Sequence, residues 1–359
     1  MINVLNEKLD LLGESFFKLL IDKEEHSKLD ATVIEVSPTV FSFDWFQGVG
    51  LYGFYKLYKY KNNKKYWQIM LDYYQDQISK GLPRKNINSM TPFLTLCFLN
   101  EELKNKEYDK LIQEWAQYLY QDMPRTTCGG FQHITSENHY LNQLWDDTLF
   151  MSVLFLAKAG VVYRKEEYVE EAIYQFLKHA QYLLDNSSGL WFHGYDCDKK
   201  NNFGAALWGR GNSWITIFIP EFLEILEDYP LNKSLRQYII DILNLQVAAL
   251  ALYQHQSGLW HTLIDDSSSY LEASATAGFG FGILKAIRKQ YIDKRYESNG
   301  LKALTAIINN INKEGVVQLV SGGTRMGETK EFYKTISLSP EPYGQAMAML
   351  FLIEALVHI

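Results

Sequence analysis

Apolar residues along this chain recur at helical spacing almost from end to end. The pattern predicts twelve helices, over 6–23, 45–61, 64–80, 91–104, 107–120, 147–159, 166–186, 212–228, 233–253, 274–289, 294–313 and 342–358. One short run, 316–320 (VVQLV), is the only strand candidate. The helices are of two kinds, and the kinds alternate. Stretches 91–99 (TPFLTLCFL), 147–159 (DTLFMSVLFLAKA), 214–225, 275–287 and 346–356 are apolar nearly all round, which predicts burial on every side. Between them, 64–80, 107–120, 166–186 and 235–250 each keep one polar face and predict an outer layer.

The connections alternate as well. Links from a buried helix to the next outer one are short, as at 62–63, 160–165 and 229–232. Links from outer to buried helices are long: 24–44, 81–90, 121–146, 187–211, 254–273 and 314–341. Long loops in a compact domain are usually functional. Four of them share a Gly–apolar turn, at Gly130-Phe131, Gly189-Leu190-Trp191, Gly258-Leu259-Trp260 and Gly315-Val316-Val317, spaced 57 to 69 residues apart. A hairpin of one inner and one outer helix, repeated at that period, closes into a ring. The expectation is an all-α fold, an (α/α)6 barrel of six inner and six outer helices. No composition break divides residues 1–359, so a single catalytic domain is expected. An open α-solenoid is the competing architecture, but its last helix should carry a polar capping face, and 342–358 does not.

Composition narrows the partners. Hydrophobic residues are 47% and the net charge is −7, with no Lys/Arg-rich tract to neutralise phosphates. Nucleic acid is therefore not an expected partner. No basic-then-apolar leader begins the chain, and no run of about 18 apolar residues suggests a membrane span. The expected location is cytoplasmic. Cys97, Cys128 and Cys197 are odd in number and widely spaced, which indicates neither a disulfide framework nor a zinc site. Aromatics are 14% of the chain, enough to fill a core and still line a sugar site.

In an (α/α)6 ring every inner helix starts at the end that carries the long loops. Asp44-Trp45, Asn86 and Asn88, Asp146-Asp147, Arg210 with Trp214, Glu272 and Tyr343 would then converge on one pit. Helix N-termini favour negative charge there, which suits a substrate carboxylate. Asp146-Asp147 heads the most apolar helix; one Asp can cap it while the other faces the pit. Burial, or a second carboxylate such as Asp44, would raise its pKa toward that of a useful general acid. Trp208-Gly209-Arg210-Gly211-Asn212-Ser213-Trp214 offers a forked cation between two stacking planes. His133, His193 and His261 follow the Gly–apolar turns and can either donate to hydroxyls or satisfy loop backbone. No HxH or HxxxH pair anchors a metal site. Gly48, Gly50 and Gly53 fit GxGxxG but lie inside a predicted helix, which points to close helix packing and not to a dinucleotide site.

These residues resemble a known family. The pieces DWFQGVGLYG (44–53), NINSMTP (86–92), GGFQH (129–133), WDDTLFM (145–151), WGRGNSW (208–214), GLWH (258–261), EASATAGFGFGILKA (272–286) and PYGQA (342–346) occur in order along nearly the whole chain. Together they are similar to the unsaturated rhamnogalacturonyl hydrolases, glycoside hydrolase family 105, related to the unsaturated glucuronyl hydrolases of family 88. The resemblance implies a glycosidase that needs no metal or other cofactor. It would remove a 4,5-unsaturated uronic acid from the non-reducing end of short, pectin-derived oligosaccharides. Asp147 would protonate C4 of the vinyl ether and water would add at C5, unlike the two-carboxylate scheme of ordinary glycosidases. By the same resemblance Arg210 would bind the uronate carboxylate and Trp208 and Trp214 would shape and stack on the ring. Trp45, Asn88, His133 and His193 would line the sugar subsite. Competing readings are an unsaturated glucuronyl hydrolase, an N-acylglucosamine 2-epimerase-like isomerase on the same barrel, and a non-catalytic sugar binder. The isomerase needs a pair of bases, commonly His, and the best-placed acid–base candidate here is Asp147.

Overall fold

The computed structural model describes residues 2–30 and 43–359, with side chains through residue 19 and again from residue 43. Among the described residues the long helices are α1 (Ile2–Asp30), α2 (Trp45–Lys61), α3 (Lys64–Lys80), α4 (Thr91–Leu103), α5 (Lys106–Gln121), α6 (Leu154–Tyr163), α7 (Glu166–Leu183), α8 (Gly209–Ile225), α9 (Lys233–Tyr253), α10 (Ala273–Arg288) and α11 (Glu297–Asn309). A short α12 (Lys330–Lys334) and a long α13 (Pro342–His358) follow. The boundaries of α2, α3, α9 and α13 are those expected from the sequence. The first helix is longer at both ends than periodicity suggested, and most of the expected link 24–44 lies outside the described residues.

Six inner helices, α2, α4, α6, α8, α10 and α13, touch in that order, and α13 closes back onto α2. The outer helices α3, α5, α7, α9 and α11 pack outside them, and α1 packs on α13 to complete the sixth hairpin. The chain is thus an (α/α)6 barrel. Burial follows the layering. Every residue of α13 from Pro342 to Leu356 is buried, whereas α5 buries only Tyr108, Ile112, Trp115, Ala116 and Leu119, the 3.6-period stripe of an amphipathic helix. By length and composition α9 would also suffice to cross a bilayer; here it lies as an outer helix against α8.

The glycines of GxGxxG do pack helices. A side chain at Gly48 would strike Thr91, at Gly50 Phe16, and at Gly53 Met349. The repeated turn at the loop end is also real, with one change of register. Gly129, Gly189, Gly258 and Gly315 have φ of +91, +78, +89 and +77, so the first member is Gly129 and not Gly130. Each of these turns is a backbone conformation that a side chain disfavours. Two residues after each comes a buried anchor, Phe131, Trp191, Trp260 or Val317.

Two expectations fail. The run 316–320 is not a strand: Val317 makes an isolated bridge with Ile311, and Leu319 sits at φ +59. The β-type residues there anchor a turn. Second, Cys128 and Cys197 are joined in a disulfide, leaving Cys97 as a buried free thiol. Spacing could not show this. Short strands β1 (Gln143–Trp145) and β2 (Gly194–Asp196) pair antiparallel, and the Cys197 N–H donates to Asn142 O at 2.9 Å, which brings the two loops together.

Candidate active site

The loop end of the barrel opens into a pocket of about 640 Å³. The starts of inner helices supply its floor: Asp44, Trp45 and Phe46 before and on α2, Asn88 ahead of α4, Asp147 ahead of α6, and Trp208, Arg210 and Trp214 at α8. The loop before α6 supplies one wall (His133, Thr135–Asn138, Tyr140, Trp145), and 323–336 supplies the other (Gly323, Thr324, Arg325, Phe332, Ile336).

Asp147 stands two residues past the end of β1. The β1–β2 ladder and the Asp146 N–H bond to His193 O (2.9 Å) fix its backbone. The chain then enters α6 through a π-helical turn, Leu149–Val153, a local widening common at functional sites. The Asp147 carboxyl is 17% exposed and faces the pocket, yet its Oδ1 is buried without a hydrogen-bond partner. Burial pushes its pKa up to about 7, against the opposing pull of Arg210 and of backbone N–H groups. Burial therefore does the work that a neighbouring Asp44 carboxylate was one way of doing.

Asp44 is a second raised acid. It caps α2, accepting from the Trp45 N–H at 2.7 Å, while Gln47 reaches back to the Asp44 N–H. Burial, with help from the charge of Glu137, takes it to about 7. Asp146 is wholly buried, and neither carboxyl oxygen finds a partner. It lies against Gly211, where a Cβ would come within 2.1 Å of Oδ2. Burial and the adjacent Asp147 charge push it well above the usual carboxylate range.

His133 stacks flat on Trp145 (4.1 Å between centroids, 7° between planes), with Nδ1 2.8 Å from Thr148 Oγ1. Burial lowers its pKa to about 3, so its 3.5 Å approach to Asp147 is a neutral contact and not an ion pair. Trp45 stacks on Tyr343 at 4.7 Å and meets Trp214 edge-on at 6.1 Å. Trp208 carries the Arg210 guanidinium over its face at 4.7 Å.

Trp45, Asn88, His133, Asp147, Trp208, Arg210 and Trp214 gather on the pocket as expected, whereas Asn86, Glu272, Tyr343 and His261 are not part of its wall, and two further residues differ from expectation. His193 is 1% exposed and is not part of the pocket wall. It sits behind Trp208 and Trp145, with Nδ1 2.7 Å from the Tyr333 hydroxyl, and its role there is to back the aromatic wall. Arg210 does line the pocket, but both its terminal nitrogens are already committed. Nη1 donates to Ser321 O and Oγ, and Nη2 to Gly322 O (2.9 Å) and Thr324 Oγ1 (3.0 Å). Glu137, Tyr140, Thr324, Arg325, Phe332 and Ile336 escaped sequence reasoning. Their only signal was membership of the long loops 121–146 and 314–341. Among the described residues no cluster of three or more His, Cys, Asp or Glu side chains is arranged to hold a metal ion.

A near-neutral carboxyl at the bottom of an aromatic, cation-bearing pit on an (α/α)6 barrel is the equipment of a glycosidase. The sequence profile of Glycosyl Hydrolase Family 88 matches residues 19–358, and the chain belongs to that family. It is 32% identical over 348 residues to the unsaturated rhamnogalacturonyl hydrolase YesR of Bacillus subtilis (strain 168), covering 94% of this chain and 97% of that one. A solved structure from Klebsiella pneumoniae subsp. pneumoniae, described as a possible member of the GH105 family, superposes with a TM-score of 0.86 at 47% identity, covering 88% of this chain and 82% of that one. A second so described, from Salmonella enterica serovar Paratyphi A, gives 0.86 at 50% identity over 88% and 83%.

Proposed function

We propose that this protein removes a 4,5-unsaturated uronic acid from the non-reducing end of short oligosaccharides, with Asp147 as the single acid and base. The supporting observation is the state of Asp147: a pocket-facing carboxyl with a pKa near 7, so that a large fraction carries a proton at neutral pH. That suits proton donation to carbon. The Asp147 proton goes to C4 of the double bond, and the positive charge that results at C5 is shared with the ring oxygen. Water attacks C5, its departing proton returns to Asp147, and the C5 hemiketal opens to release the neighbouring sugar. The carboxyl ends the cycle as it began, which is why one acid serves both steps. Asp44 is bound into the cap of α2, and Asp146 is buried behind Gly211, so neither is the acid of choice.

Kinship with YesR favours unsaturated galacturonyl-rhamnose over unsaturated glucuronyl disaccharides. A pocket of about 640 Å³ with loop walls on two sides favours chain ends over polymer interiors. The test is loss of the ultraviolet absorbance of the conjugated double bond on incubation with each disaccharide, using Asp147→Asn as control. Galacturonyl-rhamnose consumed by the wild type and spared by the variant is the expected result. Glucuronyl substrates consumed faster would reassign the sugar, and equal turnover by Asp147→Asn would remove the role of Asp147.

A further inference from the structure

A substrate that carries a carboxylate needs a cation in the pocket with donors to give. Among the described residues of the wall, the cations are Arg210 and Arg325, since burial keeps His133 neutral. Arg210 is 1% exposed, and both its terminal nitrogens are committed to the segment 321–324. Arg325 follows that segment immediately. It is exposed, lines the pocket, and has no hydrogen bond or ion pair to another described residue; its guanidinium rests 5.9 Å over the Phe332 ring.

The root of Arg325 is unusually well fixed for a loop. The Ser321 N–H donates to Glu272 Oε1 at 2.9 Å, and Ser321 O accepts from both Arg210 and the Tyr343 hydroxyl. The Gly322 N–H donates to Ser337 O at 2.9 Å, and the Gly327 N–H to the Tyr333 hydroxyl at 3.1 Å. Three inner helix starts (Arg210 on α8, Glu272 before α10, Tyr343 on α13) therefore hold one end of the segment, and α12 holds the other. Pre-ordering of this kind lowers the entropy cost of binding an anion. Arg325 also shares a neighbour with the proposed acid. The Tyr140 phenol is raised by burial and by the charges of Glu137 and Asp147, and is lowered by Arg325.

We propose that Arg325 is a specificity-determining residue that recognises the carboxylate of the sugar bound over Asp147, while Arg210 acts as the clamp that presents it. The proposal rests on the hydrolase reading above and refines it: the family resemblance gave the carboxylate to Arg210, and the hydrogen bonds here give Arg210 to the loop. A free guanidinium offers a carboxylate a bidentate, charge-assisted pair.

The experiment compares the wild type with Arg325→Gln and Arg325→Lys on unsaturated galacturonyl-rhamnose and on its methyl ester. The preference of the wild type for acid over ester, as a ratio of kcat/KM, is expected to fall about 10- to 100-fold in Arg325→Gln, chiefly through KM for the acid. Arg325→Lys should keep part of it, because a point charge remains without the fork. An unchanged ratio, or equal losses on acid and ester, overturns the proposal. A second measurement separates this failure from that of the hydrolase reading. Quenching of the pocket tryptophans by galacturonate, with galactose as the neutral control, needs no turnover. Weaker galacturonate binding in Arg325→Gln, with galactose unaffected, upholds the proposal even if no substrate is hydrolysed. Equal binding by both proteins, or no saturable quenching by the wild type, overturns it.

Discussion

The two ends of the barrel treat buried carboxylates in opposite ways. At the loop end, Asp44, Asp146 and Asp147 have no cation in contact among the described residues, and all three have raised pKa values. At the far end, Glu221 on α8 is 1% exposed, yet it accepts from Lys285 on α10, from Lys56 on α2 at 3.1 Å and from the Tyr52 hydroxyl. Glu224, one turn on, pairs with Lys285 and with Lys289 at 2.9 Å. Burial opposes charge there too, but the lysines outweigh it, and both glutamates are held below the usual carboxylate range. Depth therefore does not decide the state of an acid in this fold; company does. The paired end ties three inner helices together across the ring, and the unpaired end keeps protons available.

The comparison can be broken at either end. The largest effect belongs to Asp147→Asn, which should cut turnover about 10²- to 10⁴-fold while galacturonate still quenches the pocket tryptophans, because only the proton donor is lost. Next is Lys285→Met, which leaves Lys56 as the one cation on Glu221 and should destabilise the fold by up to about 3–5 kcal/mol in urea denaturation. Adding Glu221→Gln should recover part of that loss; no recovery would mean that the cost was packing and not charge. Cleaving the cross-link with Cys197→Ser should cost about 2–4 kcal/mol, mostly through the unfolded chain. It should also lower activity, since Cys197 directly follows β2, the strand paired with the one that leads to Asp147.

The last test is the pH dependence, whose sign differs between the ends. Asp147 and Asp44 have folded pKa values near 7, raised above those of the unfolded chain. Their contribution is present below about pH 4 and is lost as pH rises toward 7, at up to about 1.4 kcal/mol per unit per group. Glu221 and Glu224 are depressed, so theirs is present at neutral pH and is lost as pH falls below about 4. Thermal melting of the wild type against Asp44→Asn should show the variant losing less stability between pH 4 and 7. Activity should fall above about pH 7, where Asp147 gives up its proton. A kcat/KM that stays flat to pH 9 would place the working proton elsewhere.

What the sequence made legible follows from which forces are local. Helices α2, α3, α9 and α13 were bounded correctly because period, capping Asp or Asn, and Pro at a helix start are written within a few residues. Asp147, Trp45, Trp208 and Trp214 are legible because they sit at the starts of inner helices. Loop walls obey no period. Arg325 reaches the pocket through bonds between residues far apart in sequence, such as Arg210 to Ser321, while Glu137 and Tyr140 sit in an irregular turn tied by Thr135 and Asn138. The same holds for the pairing of Cys128 with Cys197 and for the retreat of His193 behind Trp208 toward Tyr333. The strand expected at 316–320 misled because β-branched residues suit any buried extended anchor, and Val317 is one.

The sulfur bridge has a topological consequence. Cys128 and Cys197 stand 69 residues apart, and the chain between them runs through α6 and α7. One inner–outer hairpin, with Asp147 at its head, is therefore a covalently closed loop set in a ring whose other hairpins are closed by packing alone. A protease that cuts the exposed 135–141 segment would make a nicked molecule and not two fragments. The halves would separate on a denaturing gel only when thiol is added, and the nicked enzyme would hold its acid through α6, α7 and the Cys197 bridge alone.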